Sequence, residues 1–222
     1  MITPSRKTIR FTLILRRSTM NEKFEKYMNL ILKRNEEINL TAITDPEEFM
    51  VKHFEDSISI TDFPEYIEAD TVMDLGTGAG FPGVPLAITS EEKQFTLVDS
   101  LNKRLKVIDE FCSELKINNV KTVHGRAEEL ARKPELRDSF DLVVSRAVAN
   151  LTTLTELALP FVNVGGYFLS YKGPEAEEEL KDAKKAIESL GGKYIETRET
   201  KMEKYGIFHN VVIIRKEKPT PK

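Results

Sequence analysis

The sequence predicts an α/β fold: a mostly parallel, seven-stranded sheet with helices on both faces, preceded by a helical extension. Three observations predict it. Short apolar runs alternate with helical patterns from Thr71 onward. The first run ends in Asp74 and breaks into a loop holding Gly76, Gly78, Gly80 and Gly83. The last two runs follow one another with no helical stretch between them. Strict alternation of strand and helix gives parallel strands covered on both faces. The uninterrupted final pair gives an antiparallel hairpin at one end of the sheet.

Thr19-Met20-Asn21-Glu22 has the form of a capping box and predicts a helix starting there. Phe24, Tyr27, Met28, Ile31, Leu32 and Ile38 then recur at helical spacing. Residues 1–19 carry Arg6, Lys7, Arg10, Arg16 and Arg17, with no acid before Glu22. They are expected to be a basic tail: an optional extension ahead of a true start at Met20, a disordered tail, or an arm that touches RNA. Asn39-Leu40-Thr41-Ala42 breaks the first helix, and Asp45-Pro46-Glu47-Glu48 opens a second, with aspartate as cap and proline in the first turn. Strands are predicted at 71–75, 94–99, 120–124, 140–146, 166–172, 193–199 and 208–215. Helices are predicted near 83–89, 101–116, 127–132, 151–161 and 175–190. The organisation is therefore a tail at 1–19, a helical extension at 20–65, one α/β domain at 66–217 and a short tail at 218–222.

At 222 residues, 40% hydrophobic and 31% charged, the chain has the composition of one globular core with a small appendage. A formal charge of -3 excludes nucleic-acid binding driven by the whole-molecule field, so any RNA contact needs a local basic patch. Cys112 is the single cysteine, which excludes an intrachain disulfide and a cysteine-based zinc cluster. No metal site is expected. No apolar run is long enough to span a bilayer. A cytoplasmic protein without membrane association, more simply a monomer, is expected.

The glycine loop and a second strand-end acid point to a nucleoside. Asp99 closes the run Phe95-Thr96-Leu97-Val98, about twenty residues beyond the loop, where a carboxylate accepts hydrogen bonds from ribose hydroxyls. Gly78-Ala79-Gly80-Phe81-Pro82-Gly83 formally matches a dinucleotide fingerprint, which is weak alone. Register decides: Asp74 sits two before Gly76, giving Asp-x-Gly-x-Gly-x-Gly at the strand end. Pro82 removes an N–H where a pyrophosphate would want helix-terminal donors. S-adenosyl-L-methionine has no phosphate. Together with the terminal hairpin, these features give a class I S-adenosylmethionine-dependent methyltransferase fold, Rossmann-like in its parallel part.

The motifs closely resemble one family. Asp74 to Gly83, Val98-Asp99-Ser100 with Lys103-Arg104, Gly125-Arg126-Ala127-Glu128-Glu129, Val144-Ser145-Arg146-Ala147 and Tyr171-Lys172-Gly173 are similar to those of the ribosomal RNA small subunit methyltransferase G family, also called glucose-inhibited division protein B. Asn39-Leu40-Thr41 and Lys52-His53-Phe54-Glu55-Asp56-Ser57 match as well. The resemblance covers about 20–217. It implies methylation of N7 of one guanine in 16S rRNA of the small ribosomal subunit.

The chemistry agrees. Fourth strands of exocyclic-amine methyltransferases lead into an Asn/Asp-Pro-Pro-aromatic box, whereas Phe140–Ser145 leads into Arg146-Ala147-Val148-Ala149-Asn150. Pyrimidine C5 methylation needs a cysteine nucleophile, but Cys112 falls on one helical face with Leu101, Leu105, Ile108 and Leu115, as a core residue does. Guanine N7 needs neither, because it already carries an in-plane lone pair and no proton. Catalysis then reduces to orientation and exclusion of water.

Candidate site residues follow. Gly76, Gly78 and Gly80 let the backbone approach the methionine half of the cofactor, with Asp74 beneath. The resemblance makes Phe81 a cofactor contact through its main chain; packing of its ring is the other reading. Asp99, with Ser100, binds ribose or caps the next helix. The resemblance makes Ala127 and Glu128 the adenine-contacting pair; Glu128 also suits a helix first turn. Arg146, at the carboxyl end of a central strand, is the leading catalytic or cofactor-binding candidate, with a buried ion pair as its other reading. Lys172 contacts a phosphate or caps the sheet. His53 is either RNA-facing or a core histidine, and Asn39 either bonds the target base or ends the first helix. Lys103, Arg104 and Arg126, with Lys172, form the RNA-binding candidates. Two rival functions share this fold: a small-molecule methyltransferase and a non-enzymatic RNA-binding protein.

Overall fold

A computed structural model describes residues 6–146, 148–202 and 207–221. Seven strands form one sheet: β1 (Thr71–Leu75), β2 (Gln94–Asp99), β3 (Val120–His124), β4 (Phe140–Arg146), β5 (Val162–Lys172), β6 (Gly192–Met202) and β7 (Ile207–Lys216). Their order is β3-β2-β1-β4-β5-β7-β6. β1 to β5 run parallel, and β7 lies antiparallel between β5 and β6. The strand order reverses between β1 and β4, so the crevice above their carboxyl ends is where an open α/β sheet takes its ligand.

Alternation along the strands builds two cores. Val72 and Val144 face one side with α5 (Gly83–Thr89), α6 (Asn102–Glu114) and the extension, while Met73, Leu75 and Val143 face α8 (Leu151–Ala158) and α9 (Ala176–Ser189) on the other. A short α7 (Ala127–Leu130) follows β3. Cys112 is buried in the first core, as its helical face predicts.

The first four strands fall where the sequence puts them. Elsewhere the structure corrects the boundaries. Helix α1 is continuous over Arg6–Asn35, so Thr19-Met20-Asn21-Glu22 lies inside a helix, and the tail expected at 1–19 enters it at Arg6. No glycine or proline occurs between Ser5 and Asp45, and an unbroken i to i−4 ladder outcompetes an internal capping box. The helix ends at Asn35, whose Oδ1 accepts from Leu40 N at 2.7 Å and Thr41 N at 3.0 Å, while its Nδ2 donates to Thr41 O at 2.9 Å.

The second predicted helix is capped by Asp45, which accepts from Glu48 N at 2.9 Å, but it is broken. It runs as α2 (Pro46–Phe49), a π-helical segment Met50–Glu55 and α3 (Asp56–Ile58), with α4 (Pro64–Ile67) following. β5 begins at Val162, earlier than predicted, because Gly165, at φ 98°, supports a bulge in which the β4–β5 register shifts. Asn163 ties that bulge to Asp141 at 2.8 Å.

The extension docks on the glycine loop. Tyr27, Phe49, Phe54 and Phe81 pack edge-on or tilted with ring centroids 5.7–6.3 Å apart. Tyr27 donates its hydroxyl to Ala79 O at 2.9 Å. Gly80 makes this approach possible: its φ is 90°, and an added Cβ would strike the Tyr27 hydroxyl and come 2.8 Å from Val84 Cγ2. Gly80→Ala should therefore lose about 2–4 kcal/mol from left-handed strain and overpacking combined. Adding Tyr27→Phe should recover part of that loss, by removing the obstructing hydroxyl. Urea titration of the single and double variants measures both.

Candidate functional site

The glycine loop is shaped around Asp74. This carboxylate is fully buried at the end of β1, and its Oδ2 accepts from Thr77 Oγ1 at 2.6 Å and Gly83 N at 2.8 Å. Among the described residues, Oδ1 is buried with no hydrogen-bond partner. Burial pushes the carboxyl up to about 6, the Thr77 and Gly83 hydrogen bonds offsetting part of the cost and nearby Asp99 adding to it. A buried acceptor oxygen left open beneath a loop suits a ligand donor such as an ammonium group.

Asp99, at the end of the neighbouring β2, holds the loop from the other side. Its Oδ2 accepts from Gly78 N at 3.0 Å and its Oδ1 from Leu101 N at 2.8 Å. Gly76 N and Thr77 N both donate to Val98 O, at 2.8 and 3.0 Å. Gly78 sits at φ 59° and a Cβ there would meet nothing within 4 Å, so its α-carbon faces open space. Gly76 faces Val148, which leaves no room for a Cβ.

Above the strand ends lies a cleft of about 230 Å³, lined in part by Gly76, Asp99, Ser100, Ala127, Glu128 and Val148. With Arg126 it brings together six residues singled out in the sequence from three separate motifs. Leu75, Val98, Gly125, Arg126 and Leu157 complete its wall, and sequence reasoning had not placed Val148 or Leu157 there. Val148 is 42% exposed, an apolar residue held in the open beside a glycine, which is the only signal it offered. Gly80 and Phe81 lie elsewhere, against the extension: Gly80 accommodates Tyr27, and the Phe81 ring stacks on His53 with centroids 4.4 Å apart.

Arg146 leaves the end of β4 and enters a charged cluster with residues of the extension. Its Nη1 donates to Asp56 Oδ2 at 2.5 Å and Lys52 O at 3.2 Å; its Nη2 meets His53 Nδ1 at 3.3 Å. The guanidinium carbon lies 5.5 Å from the centroid of Phe81. Asp56 is 1% exposed and accepts a second bond at Oδ1 from His209 Nδ1, at 2.6 Å. Burial favours the neutral acid, but His209 and Arg146 outweigh it and hold the carboxyl below its ordinary range. The same bond to Asp56 raises His209. Asp56 was visible in the sequence only as part of a motif, and nothing local marked His209.

His53 is half-buried as a wedge between Phe49, Phe81 and Arg146. Burial and the nearby Arg146 charge push it down to about 4. Because arginine only donates, Nδ1 must accept from Arg146, so Nε2 carries the proton and donates to Thr41 Oγ1 at 2.8 Å. Asn39 is exposed in the loop that Asn35, not Asn39, closes. Lys172 is 9% exposed and donates to Ala149 O and Glu179 Oε2, both at 2.7 Å. Its charge pairs with Glu179 of α9, and the same ammonium holds the loop after β4 through the Ala149 carbonyl. Glu179 Oε2 also accepts from Leu151 N at 2.5 Å. Lys103 and Arg126 are exposed near the cleft, and Arg104 lies 3.8 Å from Asp99. No described helix is long and apolar enough to cross a membrane.

The model of the rRNA small subunit methyltransferase G family matches residues 20–207. The chain belongs to this family. It is 52% identical over 198 residues to the ribosomal RNA small subunit methyltransferase G of Clostridium tetani, covering 89% of this chain and 83% of that protein. A relative of the same name from Clostridium novyi is 50% identical over 200 residues, covering 90% and 82%. Among solved structures, a SAM-dependent methyltransferase from Aquifex aeolicus superposes with a TM-score of 0.53 at 20% identity, covering 77% of this chain and 93% of that one. The Streptomyces achromogenes O-methyltransferase TomG, in complex with SAM, gives 0.57 at 12%, covering 86% and 90%. These two share the fold. As a member of the family the chain is an S-adenosylmethionine-dependent rRNA methyltransferase.

Asp74 and His53 have opposite effects on stability with pH. Asp74 has a raised native pKa, so the native state binds the proton more tightly than the unfolded chain, and stability falls as pH rises from about 4 to about 6. His53 has a lowered one, so stability rises from about 4 to its ordinary 6.5. In the intact protein the two slopes oppose each other. Asp74→Asn should leave stability climbing more steeply with pH across this window than the parent, and His53→Asn should do the reverse. Each difference is bounded by about 1.4 kcal/mol per pH unit for one proton. Denaturant titrations at pH 4.5, 5.5 and 6.5 give the difference curves.

Removing Arg146 leaves Asp56 buried with only His209. Arg146→Ala should cost about 3 kcal/mol of stability, and adding Asp56→Asn should restore part of it, because the uncompensated charge is gone. A double-mutant cycle in urea measures the coupling.

Proposed function

We propose that this chain transfers methyl from S-adenosyl-L-methionine to N7 of a guanine in 16S rRNA, presented in the small ribosomal subunit, acting as a cytoplasmic monomer. The observation that carries the cofactor reading is the single cleft joining the glycine loop, the ribose-binding acid and the Ala127–Glu128 turn. When bound, the cofactor supplies an electrophilic methyl group on a positively charged sulfur.

The protein's own groups supply position. Asp74 Oδ1 is the acceptor left open for the cofactor's ammonium group. Gly78 keeps the cofactor side of the loop free of a side chain. Asp99 accepts from Gly78 and Leu101, and the remaining lone pairs on its two oxygens suit ribose hydroxyls. Ala127 and Glu128, at the start of α7, flank the adenine. Arg146 and the Phe81 ring border the acceptor side. N7 carries no proton, so no general base is needed, and the aromatic cluster of Tyr27, Phe49, Phe54 and Phe81 excludes water behind the loop. Lys103, Arg104 and Arg126 meet RNA phosphates near the cleft. The small patch suits a modest salt dependence.

The assay is tritiated cofactor with small subunits from cells lacking this activity, followed by mass spectrometry of digested rRNA. One 7-methylguanine per subunit is the expected result. Transfer to a metabolite pool but not to subunits would favour the small-molecule reading. Asp99→Ala should weaken cofactor affinity by about 10–100-fold, from the loss of charged hydrogen bonds worth about 1.5–3 kcal/mol. It should leave the single-turnover rate at saturating cofactor nearly unchanged, since ribose contacts are alike in ground and transition states.

A further inference from the structure

We propose that Asp56 and His209 are positioning residues for methyl transfer, fixing the Arg146 guanidinium beside Phe81 of the glycine loop, where the acceptor nucleotide would be held. The inference rests on the functional reading above. It starts from the way Asp56 divides its two oxygens. Oδ2 holds Arg146 at 2.5 Å and Oδ1 holds His209 at 2.6 Å. One carboxylate of α3 thus joins the end of β4 to β7, three segments far apart in the chain.

A purely structural cross-link is a poor account of this cluster. Its surroundings are apolar and aromatic, and a buried ion pair stabilises a core no better than well-packed hydrophobic side chains of similar volume. What the pair supplies instead is direction. Arg146 is gripped through Nη1 by Asp56 and Lys52 O and through Nη2 by His53. Described residues thus engage three of its five N–H groups, and its side chain keeps 14% exposure. The guanidinium is held beside Phe81, a member of the glycine loop, so the acceptor side and the cofactor loop share one fixed reference.

Orientation is the contribution that guanine N7 chemistry requires. Displacement of about 1 Å from in-line geometry is enough to lose most of the rate. A locked guanidinium can anchor the acceptor nucleotide through a phosphate or carbonyl oxygen. Pairing with Asp56 also keeps its positive charge compensated while the guanine acquires positive charge. His53, held neutral against Arg146, adds no second cation. His209 is 33% exposed, so its ring forms the outer edge of the cluster and can be changed with little effect on the core.

The test compares wild type, Asp56→Asn, His209→Gln, Arg146→Ala and the Arg146→Ala/Asp56→Asn double variant. Cofactor affinity is measured by calorimetry, and single-turnover methylation of small subunits at saturating cofactor and subunit. Asp56→Asn should lower the single-turnover rate by about tenfold or more, and His209→Gln by a smaller factor, with cofactor affinity within about twofold of wild type. Added guanidinium ion should partly restore Arg146→Ala, and the rescue should vanish in the double variant, because Asp56 is what seats the ion. Should Asp56→Asn fail to fold, His209→Gln carries the test alone. Wild-type rates in both Asp56→Asn and His209→Gln, or equal guanidinium rescue with and without Asp56, would overturn the inference. Wild-type protein that does not methylate small subunits would overturn the underlying functional reading instead.

Discussion

A carboxylate at the end of a buried parallel strand has no solvent to turn to, and the loop after β1 is arranged as its substitute. Asp74 draws the Thr77 hydroxyl and the Gly83 amide onto one oxygen, which folds the chain back over the strand end and starts α5. Even so its proton affinity stays raised, since two hydrogen bonds do not replace full hydration. The second oxygen remains open. Asp99 repeats the device one strand over, clamping Gly78 from the β2 side. Neighbouring parallel strands end in register, Leu75 beside Val98, so two acids and one glycine loop converge without any further structure.

The extension is coupled to that loop by packing rather than by sequence proximity. Gly80 leaves room for Tyr27, and Phe81 carries its ring into the cluster formed by Phe49, Phe54 and His53. The same ring lies beside Arg146, which is bound to Asp56 and through it to His209. The glycine loop and the Arg146 cluster thus meet at Phe81. The π-helical segment at Met50–Glu55 places Lys52 O and His53 against Arg146 while Asp56 follows in α3. Neutral His53 and paired Asp56 allow this polar cluster to sit among aromatic rings without an uncompensated charge.

A parallel crossing of the sheet buries both faces of its central strands, so Thr71–Leu75, Gln94–Asp99 and Phe140–Arg146 stand out as short apolar runs, while the half-exposed edge strand Val120–His124 shows as a short β-branched run before Gly125; the sequence alone determined all four. The glycine register, Asp99, and the Ala127–Glu128 pair were legible for the same reason: each lies at a strand end or helix start, where local chemistry is specialised. The start of α1 was not, because a capping box is a local preference that a longer unbroken ladder overrides. The bulge at Gly165 hid the beginning of β5, since its glycines look like the end of a loop. What only the tertiary structure decided were partnerships over long separations: Arg146 with Asp56, Asp56 with His209, Lys172 with Glu179 and Ala149, and Gly80 with Tyr27. An ion pair carries no periodicity and no fixed spacing. Its energy depends on burial and on a distance of a few ångströms, quantities that exist only once the chain has folded.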